Sequence, residues 1–318
     1  MNEYITLPIK KLPYIKQNKF DSLESWCGVS PVMLKSLRNV LQFPLYEVRK
    51  KFRNWSTMDI LLLLLIRLRL HLPFRVLTTI TNTSLSSVWR IVNTAVELVG
   101  KFCSRRLRFF NTIDRFQRGK IMRDANRRTK WFITWLVDGW NQKIKTSVQP
   151  QLDSGTYSQK TSCHCVKKLI ITDPHGVPMW LSGSYVGRIH DMEICRLPEC
   201  AKVLRSIENE TKQTMEFGAG DNAFEGIKTD FISNFVYTPK VTEEETRRQA
   251  NIIGTIRYAV ENINAFLENY ASMNDTLRLS PTENLDSLLH YHHLMCSIVL
   301  FVIRESHYEC PLNETTII

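Results

Sequence analysis

Long hydrophobic runs are scarce in this sequence of 318 residues. The most apolar run, residues 60–66 (ILLLLLI), is far shorter than the roughly 20 residues that cross a bilayer, and Arg67 follows it at once. We therefore interpret this run as the buried face of a helix and expect no membrane partner. The first residues, MNEYITLPIKK, contain no long apolar core, so no secretory signal peptide is expected.

Cysteine pairs of the kind that bind zinc are also missing. The eight cysteines are scattered, and no CxxC pair occurs. The CHC sequence at residues 163–165 has no second cluster that would complete a four-ligand site. The cysteines are therefore expected to be free thiols in a reducing compartment. The chain also lacks internal repeats and low-complexity segments.

Positive charge, in contrast, is abundant: the formal net charge is +11. Residues 101–130 contain 11 Lys or Arg and two acids, a net +9 in that stretch. One interpretation is a solvated connector. The other is an electrostatic footprint for phosphates, with Arg105, Arg106 and Arg108 as candidate DNA contacts, because phenylalanines interleave the cations.

The segment before this basic stretch predicts helices. Ser56 or Thr57 is a candidate N-cap, with Asp59 in the first turn, and the helix is expected to end near the HLP sequence at residues 71–73. Ser30-Pro31 predicts the start of an earlier short helix.

A possible helix-turn-helix follows. Residues 74–80 predict a short helix and residues 81–83 a polar turn, after which a longer helix begins. This second helix opens with hydroxyl residues and would offer Ser86, Trp89 and Arg90 to DNA. Any packed three-helix bundle contains such a turn, so a purely structural role stays open.

Beyond residue 130 strands and helices mix. Strands are predicted at residues 131–137, 140–145, 166–172, 177–182 and 215–221, and helices at 191–207, 242–270 and 284–304. The DPHG sequence at residues 173–176 predicts a tight turn between two of the strands. This order predicts an α/β layer with a central sheet.

Three acids stand out in this second part. Asp138 and Asp221 each follow a predicted strand, and Glu261 lies at the edge of the apolar stripe of a long helix. Hard divalent cations take oxygen ligands, and two of them can assist phosphodiester cleavage. Three acids gathered in this way would form a metal site.

Structural roles for the same acids remain open. Asp138 could begin a turn with the glycine that follows it. Asp221 could cap a short helix that the sequence predicts over residues 223–232. Glu261 could pair with Arg257, four residues earlier on the same helix.

Four motifs, in their order along the chain, resemble the DDE superfamily endonucleases, which include the Harbinger-like transposases. The resemblance covers about residues 55–301, including the possible helix-turn-helix. The motifs are VDG (137–139), a long block from YSQKTS to GRIHDMEI (157–194), GDNAF (220–224) and RYAVENINAF (257–266).

This resemblance implies a fold and a chemistry. The fold would be an RNase H-like nuclease core, a mixed central sheet flanked by helices, preceded by an all-α helix-turn-helix region. Asp138, Asp221 and Glu261 would be catalytic and would hold two divalent ions, most plausibly Mg²⁺, for cleavage and joining of DNA. His190 and Asp191 match another motif, with Asp191 read as an N-cap and organiser. Tyr157 and Lys167 would lie near DNA, although a place on the sheet surface without contact to DNA stays open for both.

The domain boundaries expected from these patterns form a list: an N-terminal segment (1–54), a helix-turn-helix region (55–103), a basic connector (104–130), a nuclease domain (131–306) and a tail (307–318). The resemblance further implies double-stranded DNA as partner and a nuclear location. A homodimer and an accessory DNA-binding protein are additional expectations.

The sequence departs from the family pattern in places. Asn262 stands where the family usually has arginine after the glutamate, and a later basic element is replaced around residues 265–268, ending in Glu268. Ala223 and Phe224 replace a usual Gly-Tyr. An alternative is therefore a catalytically degenerate, host-adapted DNA-binding protein derived from a transposase.

Overall fold

The computed structural model describes residues 20–124, 126, 128–145, 155–275, 277–278 and 285–308. The helices are α1 (Phe20–Cys27), α2 (Pro31–Val40), α3 (Gln42–Lys51), α4 (Thr57–Leu70), α5 (Phe74–Thr81), α6 (Leu85–Arg106), α7 (Thr112–Arg118), α8 (Asp191–Arg196), α9 (Pro198–Thr211), α10 (Ile227–Asp230), α11 (Glu244–Glu268), α12 (Ala271–Asn274) and α13 (Leu285–Tyr308). The strands are β1 (Lys120–Arg123), β2 (Lys130–Lys145), β3 (Tyr157–Ser158), β4 (Cys163–Thr172), β5 (Pro178–Leu181), β6 (Tyr185–Val186), β7 (Glu216–Gly220), β8 (Phe235–Tyr237) and β9 (Leu277–Arg278).

The chain divides into two compact units. The helical unit lies within Met1–Arg106, Leu267–Leu277 and Asn284–Ser306, and the α/β unit lies within Leu107–Phe266, Arg278–Glu283 and His307–Ile318. In the helical unit α13 packs tightly on α6, since a Cβ built at Gly100 would lie 2.7 Å from Leu294 Cβ. The last helix thus belongs with the N-terminal helices, which differs from the nuclease domain expected over residues 131–306.

Capping residues set the bounds of α4 as the sequence predicts. Ser56 Oγ accepts a hydrogen bond from Asp59 N (3.1 Å), and Asp59 Oδ2 accepts one from Ser56 N (3.1 Å). Together they form a capping box at the start of the helix. The helix ends at Leu70, followed by His71 in the left-handed conformation (φ 47°). The apolar run at residues 60–66 is entirely buried, which confirms its interpretation.

Two helices and a short turn lie where the possible helix-turn-helix is predicted. α5 ends at Thr81, Asn82 adopts a left-handed conformation (φ 46°), and α6 begins at Leu85. Within the helical unit α6 packs against α3, α4 and α5. A turn of this kind therefore serves the packing of the unit, whatever else it does.

Among the described residues, one helix has the length and composition of a membrane span. It is the Leu285–Ser306 part of α13, with a mean hydropathy of 1.3. However, 67% of its most apolar window is buried inside the protein, so the protein itself covers most of that apolar surface.

The α/β unit is built on a mixed sheet with the strand order β3-β4-β2-β7-β8. β4 runs antiparallel to β2, whereas β7 runs parallel to β2, and β8 runs parallel to β7. The DPHG sequence forms the predicted turn between β4 and β5, with Gly176 at φ 81°. The predicted α/β layer with a central sheet is confirmed.

One strand differs from its prediction in a way that matters for Asp138. The sequence predicts a strand that ends at residue 137 and a second strand that pairs back onto it. β2 is instead one continuous strand of 16 residues. β4 pairs with it without interruption from Leu136↔Thr172 to Lys143↔Cys165, so Asp138 and Gly139 do not turn. Asp138 therefore lies in mid-strand, opposite Ile170.

The two faces of the sheet carry different helices. Trp135 and Val137 pack in a cluster that includes residues of α8 and α9. Leu136, which points the other way, packs in a second cluster with Ile256 and Val260 of α11. The helix predicted over residues 191–207 is split between α8 and α9, because Pro198 cannot continue a helix from the preceding turn.

The basic stretch is partly internal, which corrects the expectation of a solvated connector. Arg115 on α7 is buried and donates to Glu216 through Nε (2.7 Å) and Nη2 (3.1 Å), and to the half-exposed Glu210 (3.0 Å). Arg118 is paired with the buried carboxylate of Asp173. These two arginines neutralise acids of the α/β unit, so they do not contribute to a phosphate footprint.

Replacing Glu216 with Gln is expected to lower the free energy of unfolding by about 3 kcal/mol, because a buried guanidinium then loses its buried partner. The matched variant Glu210→Gln acts on the same arginine from an exposed position and is expected to cost about 1 kcal/mol or less. Urea unfolding followed by tryptophan fluorescence measures both. Equal losses for the two variants would contradict this account of the buried pair.

Candidate active site

The parallel pairing of β2 and β7 brings two of the predicted acids to the same level. Leu136 of β2 is paired with Ala219 of β7. Two residues further along each strand the same register reaches Asp138 and Asp221. Parallel neighbouring strands lie about 4.8 Å apart, so the two carboxylates share one edge of the site. Their electrostatic interaction contributes to a rise in the pKa of Asp138.

Asp138 points toward α11, because it lies on the same face of β2 as Leu136. Its Oδ2 accepts a hydrogen bond from Asn264 Nδ2 (3.0 Å), and its Oδ1 accepts one from Gly139 N (2.9 Å). Burial raises the pKa of Asp138 to about 6, with Asp221 and Asp191 adding to the rise. The charge of Arg257 and the Gly139 N–H act in the opposite direction. The ionised side chain thus has two fixed donors but too little positive charge around it.

Asp221 takes the capping position that the sequence left open. Its Oδ1 accepts a hydrogen bond from Ala223 N (2.9 Å) at the start of a short 3₁₀ helix, Asn222–Phe224. The cap fixes the direction of the side chain with one carboxylate oxygen. Its second oxygen stays available for a ligand.

Glu261 takes the helical ion pair that the sequence also left open. Its Oε1 lies 3.3 Å from Arg257 Nη2, one turn earlier on α11, and its side chain is 49% exposed. Among the described residues, no three His, Cys, Asp or Glu side chains come close enough together to hold a metal ion. The structure therefore brings Asp138 and Asp221 together and leaves Glu261 turned to Arg257.

His190, and not Asp191 as expected, caps α8. His190 is the N-cap of α8, with Nδ1 accepting from Met192 N (3.3 Å), so the expectation of an Asp191 cap is wrong by one residue. Asp191 is buried, and its Oδ1 lies 3.1 Å from Lys167 Nζ. A Cβ built at Gly139 would lie 3.0 Å from the same carboxylate oxygen. Only glycine after Asp138 leaves Asp191 its place.

Lys167, expected near DNA, is buried on β4. In addition to its ion pair with Asp191, its ammonium group donates to Ile189 O (2.9 Å). Its charge is thereby used inside the α/β unit, where it neutralises Asp191.

The other predicted DNA contacts lie in exposed positions. In the helical unit Trp89 is 53% exposed and Arg90 is also at the surface, where its Nε donates to Ser86 O (3.3 Å). Arg105 and Arg106 end the same helix and are exposed. Arg108, in the α/β unit, is exposed as well.

The contact of Asn264 with Asp138 and the effect of Arg257 on the pKa of Asp138 were not predicted from the sequence. Both could have been predicted from helical spacing, because Asn264 follows Val260 by four residues and Arg257 precedes it by three. They therefore share the face of α11 that covers β2. Glu261, adjacent to Val260 in sequence, lies beside that face, and its side chain extends to Arg257 instead.

The arrangement suits a hard cation. Mg²⁺ commonly binds proteins through one or two carboxylates and completes its ligands with water and substrate phosphate. Asp138 and Asp221 supply two such carboxylates, and burial combined with mutual repulsion makes a positive ion favourable between them. The two carboxylates thus fit one divalent ion.

The raised pKa of Asp138 predicts a specific pH dependence of stability in metal-free protein. Between pH 3.8 and about 6 the unfolded chain ionises this carboxyl while the folded protein keeps it protonated. Stability from this group is complete below that window and is lost as the pH rises through it, by about 3 kcal/mol in total.

Asp138→Asn removes this loss. In the presence of a chelator, the stability of the variant relative to wild type should therefore increase from pH 4 to pH 7.5. Urea unfolding at both pH values measures the difference, and all other titrating groups cancel between the two proteins. A variant whose stability relative to wild type is the same at both pH values would contradict the assignment.

Similarity to known proteins bears on the family of this chain. A model of the family described as DDE superfamily endonuclease matches residues 137–299, which is half of the chain and includes Asp138, Asp221 and Glu261. The match does not distinguish the Harbinger-like subfamily. Comparisons with curated proteins and with solved structures found no match. The chain therefore belongs to the DDE superfamily endonucleases.

Proposed function

We propose that this protein cleaves DNA phosphodiesters as a transposase-type endonuclease, with divalent metal held at Asp138 and Asp221. One observation carries the proposal: two carboxylates meet at one level of neighbouring parallel strands, and burial raises the pKa of one of them, Asp138. Structural roles alone do not require the second carboxylate, Asp221, since its charge raises the pKa of Asp138 further. A bound cation would compensate the negative charge of both carboxylates.

The chain's own residues hold this pair in place. Asn264 and the Gly139 N–H orient the two oxygens of Asp138, while the Ala223 N–H orients Asp221. Asp191, fixed by Lys167, fills the space behind Gly139. Bound magnesium would supply Lewis-acid stabilisation of phosphate charge and a more acidic water. The protein's part is to keep two carboxylates preoriented, so that little rearrangement is needed on binding.

Two ions, as the family resemblance implies, need a change at Glu261. Its partner Arg257 lies one turn away, and half of the glutamate side chain is exposed. Pairs of this type contribute only about 0.3–0.5 kcal/mol, so substrate and metal can draw the carboxylate away at small cost. We infer that Glu261 exchanges Arg257 for metal when DNA binds. Arg257 would then be free to meet the charge of the phosphate.

A second candidate function is a degenerate relative that binds DNA without cutting it. It is favoured by the Glu261–Arg257 ion pair and by the replacement of basic family residues with Asn262 and Glu268. The two candidates agree on the partner, double-stranded DNA, and on nuclear residence. A homodimer and an accessory DNA-binding protein are compatible with both.

Nicking of supercoiled DNA by the purified protein should require magnesium. Asp138→Asn and Asp221→Asn are each expected to reduce the rate on the order of 10²–10³-fold or more, because each removes charge that stabilises the transition state. Glu243→Gln, at an exposed acid just before the helix that carries Glu261, is the control and should leave the rate unchanged.

Gel conversion of supercoiled to relaxed DNA measures these rates. Glu261→Gln separates the candidates further, since an enzyme of this type should lose activity with it. DNA binding with no magnesium-dependent nicking by the wild-type protein would support the degenerate relative instead.

DNA affinity should fall with salt, and the exposed arginines should account for part of the slope. Replacing Arg105, Arg106 and Arg108 with Gln is expected to flatten the plot of log K against log salt by roughly one to three units. The control removes equal charge at three exposed cations elsewhere, Lys35, Lys51 and Arg53. Fluorescence anisotropy measures both slopes, and equal flattening would remove the basic stretch as a specific footprint.

A further inference from the structure

A cavity of about 850 Å³ opens in the α/β unit directly beside the two acids. Its wall includes Asn222 and Ala223, the residues that follow Asp221. It also includes Asp191, whose carboxylate lies against Gly139, the residue that follows Asp138. Asp221 thus directly precedes the lining, whereas Asp138 is separated from it by Gly139, which packs against Asp191. A group that occupies this cavity would lie near a phosphate held at Asp138 and Asp221.

The side chains around the cavity combine cations with an exposed aromatic ring. Lys160 and Arg188 are exposed at its lining. Within the described part of the chain neither forms an ion pair, so both charges are available to a ligand. Lys167 also lines the cavity, but its charge is balanced by Asp191. The unpaired charge at the cavity lining is therefore positive, which favours an anionic ligand.

Tyr157 supplies the aromatic surface. It lines the cavity with 42% of its surface exposed, and its ring is braced edge-on by the His164 ring at a centroid distance of 5.3 Å. A braced, half-exposed aromatic ring with cations beside it is a surface on which a nucleobase stacks. Paired bases inside a duplex present no free face to such a ring, so the base must first leave the helix.

We propose that this cavity holds one unpaired nucleotide next to the scissile phosphate, with its base on Tyr157 and its phosphate near Lys160 and Arg188. The volume is ample for one nucleotide. This inference rests on the proposed nuclease function and adds a substrate preference: DNA with an unpaired or extruded nucleotide at the cleavage point. Duplex that stays fully paired leaves the cavity unused.

The test is a binding measurement in a chelator, where no cleavage occurs. Fluorescence anisotropy compares a fully paired duplex with the same duplex carrying one unpaired 2-aminopurine nucleotide. Wild type is expected to bind the second about tenfold more tightly, equivalent to 1.4 kcal/mol, and the 2-aminopurine signal should change on binding. Tyr157→Ala should abolish the preference, whereas Tyr157→Phe should keep it, because only the ring is needed.

Two controls sharpen the result. Tyr46→Ala removes an equally exposed tyrosine of the helical unit and should leave the preference intact. Lys160→Gln combined with Arg188→Gln should weaken binding of the duplex with the unpaired nucleotide several-fold. Free thymidine monophosphate at micromolar concentration should not displace the DNA. Displacement would reassign the cavity to free nucleotides and overturn the proposal.

Failure of this inference is distinguishable from failure of the nuclease function. Equal affinity for the two duplexes, or an unchanged preference in Tyr157→Ala with native stability, would overturn the nucleotide cavity even if magnesium-dependent nicking is observed. A Tyr157-dependent preference in a protein that never nicks DNA would keep the cavity and remove the enzyme. Displacement of the unpaired duplex by an acidic peptide would also overturn the proposal.

Discussion

The burial of the Asp138 carboxylate, with the charge of Asp221 beside it, is the constraint on which the rest of the site depends. It arises from strand register, since β7 runs parallel to β2 and ends where Asp138 begins to face α11. Two hydrogen bonds hold Asp138 in this position, yet they leave its pKa near 6. Without a cation to compensate its charge, the ionised Asp138 would lower the stability of the folded protein at neutral pH.

The scaffold around the pair contains three buried ion pairs. Arg115 meets Glu216 at the start of β7, and Arg118 meets Asp173 in the turn after β4. Lys167 meets Asp191 behind Gly139. Breaking a buried pair costs several kcal/mol, so these pairs define where β4, β7 and α8 lie. Against this background of ion pairs the acids at Asp138 and Asp221 stand apart as a site for a ligand.

Much of the fold could be predicted from the sequence, because capping and turn signals are local. Ser56 with Asp59, the Ser30-Pro31 pair and the DPHG turn each act within a few residues, and the structure agrees with them. The length of β2 could not be predicted, because its pairing with β4 depends on residues far along the chain. The burial of Arg115 escaped for the same reason: its partner Glu216 lies 101 residues away.

The site was predictable in part. Two acids after apolar strands pointed to Asp138 and Asp221, and the family resemblance added Glu261. Its pairing with Arg257 was visible as an i,i+4 contact. That His190 caps α8 in place of Asp191 was not predictable, since a histidine cap is uncommon and Asp191 forms a buried ion pair with Lys167. Side-chain direction, which decides these cases, depends on packing between distant segments.

The central claim is that Asp138 and Asp221 together bind a divalent cation. Crystals grown with Mn²⁺ and measured at the manganese absorption edge test it most directly. The account predicts an anomalous peak within about 2–2.5 Å of a carboxylate oxygen of each aspartate. A data set in which manganese binds elsewhere, or in which the two carboxylates carry no metal at saturating Mn²⁺ and neutral pH, would contradict it.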